Sequence, residues 1–141
     1  MTVKTPGATD PANMASPQYA WQAWLDQGRF RLQYCATCRR HVFHPRALCP
    51  HCGTPGLDWV DASGLGQVHS TTCVRRKPEA GGDYNIALID LDEGPRMMSR
   101  VETVAPDAVG IGLRVRARVA RTGSAPALLV FDPETAVRQA P

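Results

Sequence analysis

The strictest hydrophobic pattern in the chain lies in residues 113–119, where apolar and charged side chains alternate without interruption. The apolar positions are Leu113, Val115, Ala117 and Val119, and the arginines between them are Arg114, Arg116 and Arg118. Successive side chains of a β-strand point to opposite faces of its sheet. The pattern therefore predicts a strand with one face in the core and an arginine-lined face in solvent.

Four other segments predict further strands. They are GQVHSTTCVRR at 66–76, YNIALIDL at 84–91, RMMSRVETV at 96–104 and APALLVFDP at 125–133. The run DEGP at 92–95 is typical of a turn, and the almost continuous apolar run YNIALIDL suits a central strand. Five strands within about 75 residues, with a short Pro/Asp/Gly-rich connection, match a five-stranded Greek-key barrel of the OB type. A β-sandwich stays open, because the pattern does not specify strand order.

One helix is predicted before these strands, in the segment SPQYAWQAWLDQG at 16–28. Ser16 suits the N-cap, Pro17 the first helical turn and Gly28 the position just after the end. Trp21 and Trp24 fall at helical spacing on one face. Either their rings cover this protein's own core, or they contact a partner subunit or a ligand, since paired tryptophans are typical of binding hot spots.

These patterns divide the chain into three segments. We expect a disordered tail and the helix in 1–31, a small cysteine-containing unit in 32–60 and the mainly β barrel in 61–141. The tail, polar up to about residue 15, lacks the apolar core of a secretory signal, and no apolar run approaches the roughly 18 residues of a membrane span. We therefore expect a soluble, cytoplasmic protein with no membrane partner.

The stretch CATCRRHVFHPRALCPHC at 35–52 holds four cysteines as two Cys-x-x-Cys pairs, and RFRLQY before it predicts a short strand. Two such pairs facing each other form a tetrahedral S4 site of the kind that Zn²⁺ prefers. The predicted ligands are Cys35, Cys38, Cys49 and Cys52. Disulfides are disfavoured in a cytoplasmic chain, while iron in a rubredoxin-like site uses the same ligands. Four thiolates leave no open coordination position, so the site is predicted to be structural and not catalytic.

No catalytic arrangement is evident elsewhere in the sequence. Cys73 lies in a predicted strand, where a lone cysteine is usually a small buried hydrophobe. His69, the nearest possible base on that strand, lies about 13 Å away if the strand is extended. The other histidines, His41, His44 and His51, fall within the cysteine loops and are expected beside the metal or in solvent. The sequence therefore predicts a protein that is not itself an enzyme.

The net charge of +3 hides an uneven distribution. Residues 1–60 carry six Lys/Arg against three Asp/Glu, whereas residues 61–141 carry ten of each. Two local basic patches contain no acidic residue. One is Arg75, Arg76 and Lys77, and the other is the three strand arginines at 114, 116 and 118. Patches of this size could hold a few phosphates or could form a solvated strand face.

Several motifs, in order, resemble a known family of small bacterial and archaeal proteins. They are WQAWLDQGRFRLQYCATC, FHPRALCPHCG, WVDASGLGQVHSTT, NIALIDLDEGPRMMSRV and GIGLRVRARV. The family joins N-terminal helices, a rubredoxin-like zinc ribbon and an OB-fold, and was long catalogued as a domain of unknown function. The resemblance implies an accessory role beside thiolase-like enzymes, steroid side-chain aldolases or enoyl-CoA hydratases, with acyl-CoA as a possible ligand.

Three function classes compete, and the third, an enzyme in its own right such as a hydrolase using Cys73 or an unrecognised acid pair, lacks a recognisable catalytic constellation. The first is a non-catalytic subunit or acyl-CoA-handling module, for which Arg75, Arg76 and Lys77 are the preferred phosphate ligands, the strand arginines the alternative, and the two tryptophans the partner contact. The second is a nucleic-acid-binding protein, a role that OB barrels and zinc ribbons also serve. Proteins that bind single-stranded nucleic acid need aromatic side chains on which the bases stack. Tyr84 and Phe131 are the only aromatic residues after Trp59, which disfavours this alternative.

Overall fold

The computed structural model describes residues 16–134, so the predicted tail lies outside the described residues. The elements in chain order are helix α1 Pro17–Asp26, strands β1 Arg31–Cys35, β2 Arg40–Val42, β3 Asp58–Asp61, β4 Leu65–Val74, β5 Tyr84–Leu91, β6 Arg96–Ser99, β7 Arg114–Ala120 and β8 Leu128–Pro133, with a 3-10 turn at Pro78–Ala80. The mainly β class predicted from the sequence is confirmed.

Helix α1 begins and ends as its capping residues predict. The Ser16 hydroxyl accepts a hydrogen bond from the backbone N–H of Tyr19 at 3.4 Å, and Pro17 occupies the first turn. Gly28 has a φ of 80° and donates its N–H to the carbonyl of Leu25 at 2.8 Å. A residue with a Cβ is strained in that left-handed conformation, which is why glycine ends the helix.

The cysteine-containing unit is a three-stranded antiparallel sheet in the order β2-β1-β3. The buried amide of Gln33 on β1 fastens the loop between the cysteine pairs to this sheet. It donates to the carbonyl of Arg46 at 2.8 Å and accepts from the backbone N–H of the same residue at 2.6 Å. A buried amide bonded on both sides holds a loop that has little apolar surface of its own.

The second sheet has five strands in the order β6-β5-β4-β7-β8. It is closed by a parallel bridge between Val101 and Phe131, where the N–H of Phe131 donates to Arg100 at 2.9 Å and its carbonyl accepts from Glu102 at 2.7 Å. A register shift between Val68 and Ser70 marks a bulge in β4, and bulges bend strands at such corners. The closed sheet rejects the sandwich alternative in favour of the predicted OB-type barrel.

One hydrophobic core serves both the barrel and the helix. The side chains at the predicted inward positions of β7 pack in it, with Val115 fully buried. Trp21 and Leu25 of α1 join the same core. Asp26 accepts from the backbone N–H of Ala127 at 2.9 Å, and Gln22 donates to the carbonyl of Ala127 at 2.8 Å. The helix is thus fastened to the entry of β8.

Candidate metal centre and binding surfaces

The four cysteines of the two pairs converge at one end of the small sheet. Their sulfur atoms all lie within 4.8 Å of one another, and the sulfurs of Cys35 and Cys52, like those of Cys38 and Cys49, are 3.6 Å apart. A tetrahedral zinc ion with Zn–S bonds near 2.3 Å requires neighbouring sulfurs at about 3.8 Å. The donor set and its spacing therefore fit one structural zinc ion, as predicted.

The two cysteine loops share one backbone design. In each, the residue after the second cysteine donates its N–H to the carbonyl of the first: Arg39 to Cys35 at 2.7 Å, and Gly53 to Cys49 at 2.8 Å. Both donors have positive φ, 60° for Arg39 and 80° for Gly53. An arginine in this region is strained by roughly 1 kcal/mol relative to glycine, so the first loop holds Arg39 in a conformation it would not choose alone.

The pKa values of the cysteine thiols are shifted by their neighbours in the cluster. A hydrogen bond with the Thr54 hydroxyl, at 3.2 Å, lowers the pKa of Cys52 to about 6. Burial and hydrogen bonds with the other three thiols raise the pKa of Cys38 to about 12. Four sulfurs this close cannot all be thiolates without a positive ion between them. When bound, zinc supplies cross-linking of the two loops, and four sulfur ligands leave no position for water or substrate.

Comparison with known families agrees with this architecture. Residues 23–58 match the family model of the ChsH2 rubredoxin-like zinc ribbon domain, and residues 59–120 match that of the ChsH2 C-terminal OB-fold domain. One chain of the solved Ltp2-ChsH2(DUF35) aldolase is 33% identical, with a TM-score of 0.74, over 87% of this chain and 98% of that chain. The chain belongs to the DUF35 family.

Two further proteins are similar to this chain in sequence. A probable enoyl-CoA hydratase alpha subunit of Thermomonospora curvata is 36% identical over 97 residues, 67% of this chain. A DUF35 domain-containing scaffold protein of Methanothermobacter thermautotrophicus is 32% identical over 82 residues, 55% of this chain. The chain spans 30% of the length of the first relative and 62% of the second.

The arginines of β7 pair with carboxylates from β8 and from the residues that directly follow β5 and β8. Arg114 contacts Asp92 at 2.8 Å, Arg116 contacts Glu134 at 3.4 Å, and Arg118 contacts Asp132 at 2.8 Å. The sequence near these arginines contains no acidic residues, but the fold brings carboxylates from distant parts of the chain into contact with them. As a phosphate site these three arginines remain only a prediction, and their charge is already compensated.

The other predicted patch lies at the hairpin between β4 and β5. Arg75 contacts Asp83 at 2.7 Å, and the guanidinium of Arg76 stacks 4.7 Å from the centre of the Tyr84 ring. Lys77 is exposed, with no carboxylate partner among residues 16–134. Arg76 lines a cavity of about 400 Å³, so a ligand role for this patch would depend mainly on that residue.

Both tryptophans of α1 are buried within this protein's own fold. Trp21 is 9% exposed and meets Phe43 edge to face at 5.5 Å. Trp24 is 8% exposed, and the guanidinium groups of Arg29 and Arg31 lie over its ring, at 5.1 and 4.6 Å from the ring centre. The alternative in which the rings cover this protein's own core is the one the structure shows. Contact of either ring with a partner stays a prediction.

The candidate nucleophile and bases do not assemble. Cys73 is half-buried with no histidine among its hydrogen-bond partners, while His69 lies 3.5 Å from Asp90 on the neighbouring strand. His41 packs against Tyr34, and His51 accepts a contact from Arg40 at 3.1 Å. Within residues 16–134, the histidines thus lie outside the metal cluster, as predicted.

Sequence reasoning missed the apolar outer face of the barrel. Residues Tyr84, Ile86, Met98, Leu128 and Val130 line a cavity of about 400 Å³ there, and we call this surface the barrel face. Met98 is 66% exposed and Leu128 is 50% exposed. The near-continuous apolar run of β5 was the available signal, because only its alternate residues are buried in the core. No helix within residues 16–134 has the length and apolar character to cross a membrane.

Proposed function

We propose that this chain is a non-catalytic accessory subunit that associates with a separate enzyme of acyl-CoA or lipid metabolism. The observation that carries the proposal is the likeness of this protein to one chain of the Ltp2-ChsH2(DUF35) aldolase. The match covers 98% of that aldolase chain. The likeness to a probable enoyl-CoA hydratase alpha subunit supports the same class of partner. A thiolase-fold enzyme, an aldolase or an enoyl-CoA hydratase would fit.

The chemistry of the described residues supports a non-catalytic role. The metal site has four sulfur ligands and no open position, so it can neither activate water nor polarise a carbonyl. The exposed pair of His69 and Asp90 is shared with Arg96, which contacts the same carboxylate at 2.6 Å. Such a subunit would extend the partner's substrate channel or order a loop over its active site, and would contribute no reacting group.

The barrel face is the surface we assign to the partner. Met98 and Leu128 in particular are too exposed to contribute much to the stability of the isolated chain, and exposed apolar patches on small domains are typical of protein contacts. Arg76 and Arg100 border the same cavity and could receive carboxylates at the rim. Helix α1 would support this surface from behind, since its two tryptophans are committed to the core.

Co-purification tests this assignment. The chain is expressed with the candidate enzyme, and the amount of enzyme recovered is compared for wild type, Met98→Glu with Leu128→Glu, and Ile111→Glu. Ile111 is 75% exposed and lies outside the barrel face, which makes it a matched control. We expect loss of the enzyme only with the barrel-face variant, with zinc retained by all three. Recovery of enzyme with every variant would reject this surface, and no enzyme partner for wild type would reject the function.

Nucleic-acid binding has less support. The β7 arginines are occupied by carboxylates, and Phe131 is fully buried, which leaves Tyr84 as the partly exposed aromatic residue after Trp59. Single-strand binders use several exposed aromatic rings as stacking platforms. A fluorescent single-stranded oligonucleotide should therefore show no salt-sensitive change in anisotropy with this protein.

A further inference from the structure

The four cysteines of the metal centre differ in their access to solvent. Cys35 and Cys49 are each 2% exposed and pack with Val42 in a small apolar cluster of the cysteine-containing unit. Cys38 is half-buried, and Cys52 is exposed. A reagent in solution therefore meets the ligand set first at Cys52.

The four sulfurs also form two close pairs, and each pair joins one cysteine loop to the other. Cys52 lies 3.6 Å from Cys35, and Cys38 lies 3.6 Å from Cys49. A disulfide holds its two sulfurs at about 2.05 Å, so each pair reaches bonding distance by an approach of roughly 1.5 Å. Cys35 is therefore the thiol placed to react with an oxidised Cys52.

Metal coordination holds all four sulfurs as thiolates, and the thiolate is the form of cysteine that hydroperoxides oxidise. The fifth cysteine of the chain, Cys73, lies in β4 outside this cluster and is half-buried. It has neither the metal nor a second thiol beside it, so it serves as an internal comparison.

We infer that Cys52 is an oxidation site for hydroperoxides and that Cys35 converts the product into a disulfide between the two loops. The Cys52 thiolate attacks a peroxide oxygen and the O–O bond breaks. A sulfenic acid forms on Cys52, and the leaving oxygen takes a proton from solvent to become an alcohol, or water where the oxidant is hydrogen peroxide. The Cys35 thiolate then attacks the oxidised sulfur, the S–O bond breaks and hydroxide leaves. The two sulfurs lose two electrons, which the peroxide receives.

This disulfide changes the metal site without separating the loops. Two of the four zinc ligands are consumed, so the other two sulfurs no longer hold the ion tightly. The new bond replaces the link between the loops that zinc supplies, and the Gln33 amide that fastens Arg46 to β1 involves no cysteine. We therefore expect the oxidised, zinc-free unit to stay folded, unlike the reduced unit after zinc is removed by a chelator.

Hydrogen peroxide added to the zinc-loaded chain tests the inference by three measurements that need no partner enzyme. A chromogenic chelator reports zinc release, dimedone labels sulfenic acid, and tandem mass spectrometry maps the disulfides after trypsin digestion. Trypsin cleaves after Arg39, Arg40 and Arg46, which separates the first cysteine pair from the second. We expect zinc release, dimedone on Cys52, and two peptides joined through Cys35 and Cys52.

Two matched variants exchange one ligand each. Cys52→His and Cys38→His both give three sulfurs and one imidazole, a donor set that also holds structural zinc. Removal of the exposed thiol in Cys52→His should slow zinc release by about tenfold or more. Cys38→His keeps Cys52 and Cys35 and should release zinc about as fast as the wild type. Cys73→Ser should likewise behave as the wild type.

Four results would overturn the inference. They are zinc retained by the wild type in peroxide, first labelling at a cysteine other than Cys52, disulfides confined to single loops, and equal release from Cys52→His and Cys38→His. The labelling and the disulfide map on the wild type decide the question even where a histidine variant fails to hold zinc. Faster trypsin cleavage at Arg46 in the oxidised chain than in the chelated, reduced chain would contradict the expected link between the loops.

Discussion

Replacement of Trp21 or Trp24 by alanine should destabilise the folded chain strongly. Each ring is more than nine-tenths buried, Trp21 within the barrel core and Trp24 beneath two arginines. If the rings instead served mainly as partner contacts, their removal would leave the isolated chain about as stable as before. The two roles therefore predict opposite results from one measurement.

The expected cost follows from the buried area. Removing a buried tryptophan loses about 200 Å² of apolar burial, or roughly 5 kcal/mol at 25 cal/mol per Å². Each indole N–H lacks a hydrogen-bond partner among residues 16–134, which already costs about 1–2 kcal/mol and is relieved by the substitution. The net loss is about 3–4 kcal/mol for Trp21→Ala, a large share of the 5–15 kcal/mol typical of a domain. Trp24→Ala should lose a similar amount.

Urea unfolding followed by far-ultraviolet circular dichroism, at constant free zinc, measures this loss. Tyr19→Ala on the same helix is the matched control, because its ring is 61% exposed and should cost less than about 0.5 kcal/mol. Tryptophan variants that unfold at the same urea concentration as the Tyr19 variant, and that fail to recover the partner enzyme, would refute the core assignment.

Three further outcomes are expected. Cys49→Ser should release zinc, by elemental analysis, and loosen the ribbon while circular dichroism still reports the barrel strands; retained stoichiometric zinc would contradict the S4 site. Asn85→Leu should cost about 2–4 kcal/mol in urea unfolding, because the buried amide bonds Thr71 and the backbone N–H of Val101 at 2.7 and 3.0 Å; unchanged stability would show that these groups find other partners. The hydrogen bond from Arg114 lowers the pKa of Asp92 below 3.8, so its contribution is complete above that pH and is lost as pH falls through the folded pKa. Asp92→Asn should therefore lower stability slightly at pH 7 and progressively less as the pH falls below 3.8, and an effect that does not change with pH would contradict the ion pair.

The sequence by itself determined the features that depend on neighbours a few residues apart. Ser16 and Gly28 cap the helix because capping bonds span three residues. Two Cys-x-x-Cys pairs predict an S4 site because two such loops direct four sulfurs to one point. Alternation in β7 predicts its buried face because a strand has a period of two. These are local rules, and the structure confirms each of them.

Only the tertiary structure decided which surfaces remain available for function. Barrel closure at Val101 and Phe131 joins positions 30 residues apart, and the pairing of Arg118 with Asp132 depends on the register of β7 and β8. That register neutralises a patch that looked unpaired along the chain. Conversely, the fold brings Arg40 and Arg46 to one cavity with the turn between β5 and β6, some fifty residues later in the chain. Charge compensation depends on distances between side chains, and chain folding, not sequence separation, sets those distances.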